Sequence, residues 1–218
     1  MLKSLMSKKA RWLIPIYTVF YVAAFMFLEQ HVTNVHIISS PLDQYIPFCE
    51  YFVIPYYLWF LYIIAILIYF SFFGADVREF NQLVFSLGIG MTIFLFISWV
   101  WPNGLDLRPE TFPRDNFFTG LVADLYQRDT STNVFPSIHV YNSVVAFIAI
   151  NRCKALRKRK VIRAGAFVLS TLIILSTVFL KQHSVADVLG AFVMNAVLYV
   201  IIYRPELLPG RVKKTAVE

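Results

Sequence analysis

LWFLYIIAILIYFSFF, residues 58–73, is apolar on every side, and that single property decides the fold. A strand in a membrane barrel alternates apolar and polar residues over about ten positions, and this stretch does not alternate. A soluble helix keeps one polar face, and this stretch has none. What remains is a helix surrounded by lipid, with its backbone hydrogen bonds closed inside the segment. The rest of the chain agrees: 218 residues with 58% hydrophobic, 15% charged and 21 phenylalanines are too apolar for an ordinary soluble domain.

A bilayer core about 30 Å thick takes roughly 20 mostly apolar residues per crossing. Six stretches qualify, at about 12–28, 52–73, 83–101, 134–150, 164–181 and 184–203. The expected architecture is all-α, one integral membrane six-helix bundle over residues 1–218 with no second domain. The first stretch follows Lys3, Lys8, Lys9 and Arg11, as a signal peptide would, but its apolar part is long and no small-residue cleavage site follows. It reads as a retained span.

Threading six spans assigns Lys3 to Arg11, Arg78, Arg152 to Arg163 and Arg204 to Lys214 to one face, 16 of the 20 basic residues. Arg108, Arg114, Arg128 and Lys181 fall on the other face, with nine of the 13 acidic residues. The positive-inside rule then makes both termini cytoplasmic. The run RCKALRKRK, residues 152–160, is a topology signal that also meets anionic headgroups, and nucleic acid is not an expected partner. Cys49 and Cys153 land on opposite faces and cannot pair. The longest polar stretch, 102–133, reads as a loop of the lid or binding kind, and Arg114 and Asp115 within it read as solvated. Trp12, Trp99 and Trp101 stand near span ends, as an interfacial belt requires.

Ionisable residues at membrane depth are costly unless they pair or line a wet cavity, so they point to function. The topology gathers His139, Lys181, His183, Asp187 and Arg108 at one end of the bundle. His183 and Asp187 are four apart, so on a helix the carboxylate can reach one imidazole nitrogen. That set can transfer a phosphoryl group. An imidazole oriented by a carboxylate is a good nucleophile, a second imidazole can protonate a departing oxygen, and cations neutralise phosphate oxygens. Pro136 is expected in the first turn of the fourth helix, where its missing N–H costs nothing, leaving the N–H groups of Ser137, Ile138 and His139 to face an anion. A proton or ion relay is the non-enzymatic alternative, and it needs neither a nucleophile pair nor a cationic cradle.

Pro136-Ser137-Ile138-His139, then Ser176-Thr177, five residues, His183, three residues and Asp187, resembles the type 2 phosphatidic acid phosphatase superfamily. The middle motif there usually reads PSGH and the last reads SR, five residues, H, three residues, D. The FPSIHV and HSVAD wording is most similar to the branch that holds inositol phosphorylceramide synthases and many bacterial lipid phosphatases. Of the first motif, K, six residues, RP, the chain keeps Arg108 and Pro109 and has Trp101 at the lysine. Ile138 stands at the glycine and Thr177 at the arginine.

The resemblance implies that His183 attacks phosphorus, Asp187 orients His183 and His139 protonates the leaving group. It also implies that Arg108, Ser137, the backbone at Ile138 and Lys181, in place of the missing arginine, hold the phosphate. Neither metal nor cofactor is required. The implied substrates are membrane lipid phosphates or isoprenoid pyrophosphates, at the outer face of a bacterial cell membrane. The implied activity is hydrolysis, with headgroup transfer to an alcohol as the alternative.

Overall fold

The computed structural model describes residues 11–74 and 76–207. Lys3, Lys8, Lys9, Arg211, Lys213 and Lys214 lie outside the described residues. The helices are α1 (Leu13–Gln30), α2 (Val53–Phe72), α3 (Val77–Val100), α4 (Phe117–Arg128), α5 (Ile138–Arg152), α6 (Lys160–Phe179) and α7 (Val185–Tyr203). All of them except α4 and α5 are long and apolar enough to cross a bilayer, and the chain is a multi-pass membrane protein. A two-residue parallel ladder, β1 (His36–Ile37) with β2 (Asn103–Gly104), ties the segment after α1 to the segment after α3.

Two expectations are revised. The span expected at 134–150 is the 15-residue α5. At 1.5 Å per residue it is about 22 Å long, shorter than the other long helices of the bundle. The helix starts late because Ser137 is its N-cap, so Pro136 precedes the helix and does not occupy its first turn. The loop expected over 102–133 contains α4, which buries Thr119, Val122 and Leu125 on one face. Asn116 caps it, accepting from the Phe118 and Thr119 N–H groups at 2.9 and 3.1 Å.

The short helix is also the central one. Nine residues of α5 are buried, and it packs against α2, α3, α6 and α7. Its approach to α3 depends on Gly90, where an added Cβ would fall 2.1 Å from the Tyr141 ring. The Tyr141 hydroxyl then donates to the Ser86 carbonyl at 2.6 Å, which satisfies the one polar atom of a buried ring. By contrast α1 buries no residue; it leans on α3 through Tyr17, Tyr21 and Phe25, and its Glu29 accepts from Thr132 and Asn133 ahead of α5. Its exposed apolar side chains suit lipid contact. Trp12, Trp99 and Trp101 are exposed near helix ends, in keeping with an interfacial belt.

Candidate active site

The site is assembled by three connections at one end of the bundle. Between α6 and α7, Lys181 adopts φ 55°, and the N–H groups of Gln182 and His183 both donate to the Thr177 carbonyl, at 2.9 and 3.0 Å. This tight turn fixes the two residues relative to each other. Ser184 then caps α7, accepting from Ala186 N–H at 3.1 Å, while Asp187 reaches back to accept from Ser184 N–H at 2.8 Å. Two backbone groups of the helix end are thereby paired. The Ser176 and Thr177 hydroxyls bond back to the carbonyls of Ile173 and Ile174, at 2.6 and 2.8 Å.

Ahead of α5, Asn103 organises the turn. Its Oδ1 accepts from Val134 and Phe135 N–H, both at 2.9 Å, and its own carbonyl accepts from Asn133 N–H at 2.6 Å. Ser137 N–H donates to the Asp187 carbonyl at 3.2 Å, which stitches the start of α5 to the first turn of α7. The expectation of a free Ser137 N–H is therefore corrected: that donor is occupied, and the Ser137 hydroxyl accepts from Val140 N–H at 3.4 Å.

The two histidines meet. Their ring centroids are 5.7 Å apart, and His183 Nδ1 lies 3.4 Å from Asp187 Oδ2. That separation is at the long edge of hydrogen-bond range and is not aligned as a bond, the loose geometry common in sites without substrate. His139 is held between two rings of α2, Tyr56 at 4.5 Å and Trp59 at 4.4 Å between centroids. The Tyr56 hydroxyl donates to the Asp129 carboxylate.

Arg108 is placed in the same cluster, with three of its five N–H donors committed. Nη1 donates to the Tyr126 carbonyl at 2.9 Å, and Nη2 donates to the Asp129 carbonyl and to Gln182 Oε1. The guanidinium also lies over the Tyr126 ring at 4.3 Å. Burial lowers its pKa from the ordinary value, and the nearby Asp129 opposes that shift.

Lys181 turns elsewhere. Its ammonium donates to the carbonyls of Asp43, at 2.9 Å, and Ile46, both in the segment after β1. Burial lowers its pKa, partly offset by Asp43. Arg114 keeps its side chain more than half exposed, as expected of a solvated loop residue, while its Nη1 pairs with Oε1 of the fully buried Glu50 at 3.0 Å.

The contacts close on themselves. Arg108 holds Gln182, Gln182 adjoins His183, His183 faces His139, His139 packs at a tilt on Tyr56, Tyr56 bonds Asp129 and Asp129 accepts from Arg108. Around this ring stand buried polar atoms without a hydrogen-bond partner: Trp59 Nε1, Arg108 Nε, His139 Nδ1, Gln182 Nε2, His183 Nδ1 and Asp187 Oδ1. Buried polar groups are ordinarily satisfied, so such a cluster calls for a polar ligand or water. A groove of about 430 Å3 lies elsewhere, between α5 and α7 toward Arg152, with no member of the ring in its lining.

The order of motif residues and their convergence agree with one family. The model of the PAP2 superfamily matches residues 83–206. The chain belongs to the PAP2 superfamily, the type 2 phosphatidic acid phosphatases. Membership carries phosphatase or related phosphotransferase activity on lipid-like substrates. Comparison with curated proteins and with solved structures gives no match.

Sequence reasoning placed His139, His183, Asp187 and Arg108 together, and they are together. It missed Gln182, Tyr56, Trp59, Asp129 and Asn103. Tyr56 and Trp59 are three apart on one helix face, but an aromatic pair in an apolar span looks like any other lipid-facing ring. Asp129 and Asn103 lie in polar connections where nothing in the spacing singles them out.

Proposed function

We propose that this PAP2 protein is a metal-independent lipid phosphate or pyrophosphate phosphatase that works through a phosphohistidine on His183. The observation that carries the reading is the approach of Asp187 Oδ2 to His183 Nδ1 with the His139 ring beside it. A carboxylate at Nδ1 favours the tautomer that keeps the proton there, which leaves the lone pair on Nε2 to attack phosphorus. The N–P bond forms as the P–O bond to the leaving group breaks. His139 gives its proton to the departing oxygen and then takes one from the water that cleaves the N–P bond. Arg108 Nε, the Ser137 hydroxyl and the backbone N–H of Ile138 hold the phosphate oxygens in this reading, supported by the unpartnered, buried Nε of Arg108. Lys181, expected in that role, instead secures the 43–46 segment.

The site faces the outside of the cell membrane, where a lipid headgroup lies at the depth of the histidines while its tails stay in the bilayer. The decisive experiment incubates purified protein in mixed micelles with a panel of lipid mono- and diphosphates in EDTA, following free phosphate and lipid products together. Free phosphate and an acid-labile phosphoenzyme absent from His183→Ala are expected. Loss of activity in EDTA with recovery in magnesium would refute the mechanism, and headgroup exchange without free phosphate would make the protein a transferase.

A further inference from the structure

Gln182 has a side chain that the bundle itself does not satisfy. The residue is 3% exposed, yet its Nε2 carries two N–H donors with no partner. Amide oxygen and nitrogen are often interchangeable in assignment, but here the neighbour removes the ambiguity. Arg108 offers donors only, so the atom against its Nη2 must be the oxygen. The amide nitrogen is then the free arm of the fork, on the residue that immediately precedes His183 in a turn where the Gln182 and His183 N–H groups both donate to the Thr177 carbonyl.

The remaining donor of the same hydrogen-bonded unit points to the same use. Arg108 spends both Nη2 donors and one Nη1 donor on protein acceptors, and its buried Nε is unpartnered. Arg108 Nε–H and Gln182 Nε2–H are thus two buried, unpartnered donors on side chains joined through a single hydrogen bond, donors of the kind an oxyanion accepts from. The cation expected to complete the cradle, Lys181, has two of its three donors committed to the Asp43 and Ile46 carbonyls.

We infer that Gln182 supplies the second arm of the phosphate site, its side-chain N–H2 donating to a non-bridging oxygen of the substrate phosphoryl group. The assignment rests on the phosphatase reading above and deepens it. A neutral donor stands where a second fixed cation was expected, so the site discriminates by hydrogen-bond geometry and carries one permanent positive charge, that of Arg108.

The test compares Gln182→Met, which keeps the length and loses the donors, with Gln182→Glu, which keeps the contact to Arg108 and replaces the donors by an oxygen. The full-length protein is assayed on the lipid phosphate it turns over fastest, with inorganic phosphate and orthovanadate as competing anions. Gln182→Met is expected to weaken inhibition by both anions and to lower kcat/KM about ten- to a hundredfold, the range for a hydrogen bond to a charged group. Gln182→Glu is expected to lose more, while its melting temperature stays near that of the parent because its carboxylate pairs with Arg108. It therefore remains informative if Gln182→Met folds poorly. Lys181→Met is expected to shift the anion inhibition less than Gln182→Met does. Parental inhibition and turnover in both Gln182 variants would overturn the assignment and leave the phosphatase reading standing. A parent protein that neither releases phosphate nor is inhibited by either anion would overturn both.

Discussion

Asp43 is a buried carboxylate with a demanding job. It is 4% exposed and lies in the segment between β1 and α2, more than a hundred residues before the site it holds. Its Oδ2 accepts from the Ser184 hydroxyl at 2.6 Å and from Ser40 N–H at 2.7 Å, and its Oδ1 accepts from Val185 N–H at 2.8 Å. Ser184 and Val185 are the cap and first residue of α7, so an anion sits on that helix's amino end, where the exposed N–H groups favour it. His183 is the residue just before the cap. Asp43→Ala removes two acceptor oxygens and three hydrogen bonds at once. Hydrogen bonds to a charged group are worth about 1.5–3 kcal/mol each. Their sum overstates the loss, because burying the carboxylate is itself costly and Ser40 can recover water, so we expect about 3–5 kcal/mol, the usual result of deleting one side of a buried charged arrangement. For a chain of this length about 1 kcal/mol moves the melting point by about 2–4 °C, so a fall of roughly 6–20 °C is expected in detergent. Asp43→Asn keeps one acceptor oxygen and should fall between. Catalysis should suffer too, since loosening the first turn of α7 moves His183, and a displacement of about 1 Å can cost about a hundredfold in rate. Thermal unfolding and phosphate release, measured on the same preparations, check both numbers. An Asp43→Ala protein that melts within about 2 °C of the parent, at less than about 1 kcal/mol of loss, and turns over at the parental rate would refute the role assigned to Asp43.

The division of labour between the histidines gives a second expected outcome: His139→Asn slows turnover of a lipid alkyl phosphate about 10²–10⁴-fold and is partly rescued by an aryl phosphate with a good leaving group, whereas His183→Asn is not. Rescue confined to the His183 variant would reverse the roles. Orientation is checked by placing a cysteine at Arg114, which pairs with Glu50 at the histidine end. Membrane-impermeant thiol reagents should reach it from outside intact cells, and labelling only from the cytoplasmic side would overturn the outward-facing reading.

Runs such as LWFLYIIAILIYFSFF determined the membrane-spanning helical class, because lipid leaves an all-apolar segment no alternative to closing its own backbone hydrogen bonds. The motif spacing determined that His183 and Asp187 would meet, since four residues across a helix start is a local distance. Local capping signals for α4 were also legible: Asn116, then Thr119 three residues on, then Leu121, Val122 and Leu125 at helical spacing, but a polar setting concealed them. Tertiary structure alone decided the rest. The length of α5 was set by Asn103, 31 residues earlier, drawing Val134 N–H into the turn before the helix. The partner of Lys181 was set by a segment 138 residues away, and which face of His139 is covered was set by Tyr56 and Trp59 on α2. Each of these depends on which segments the bundle brings side by side. Hydropathy is a property of single segments and carries no record of their neighbours, so a lysine two residues before His183 reads as a phosphate ligand until the fold supplies the two carbonyls that accept from it.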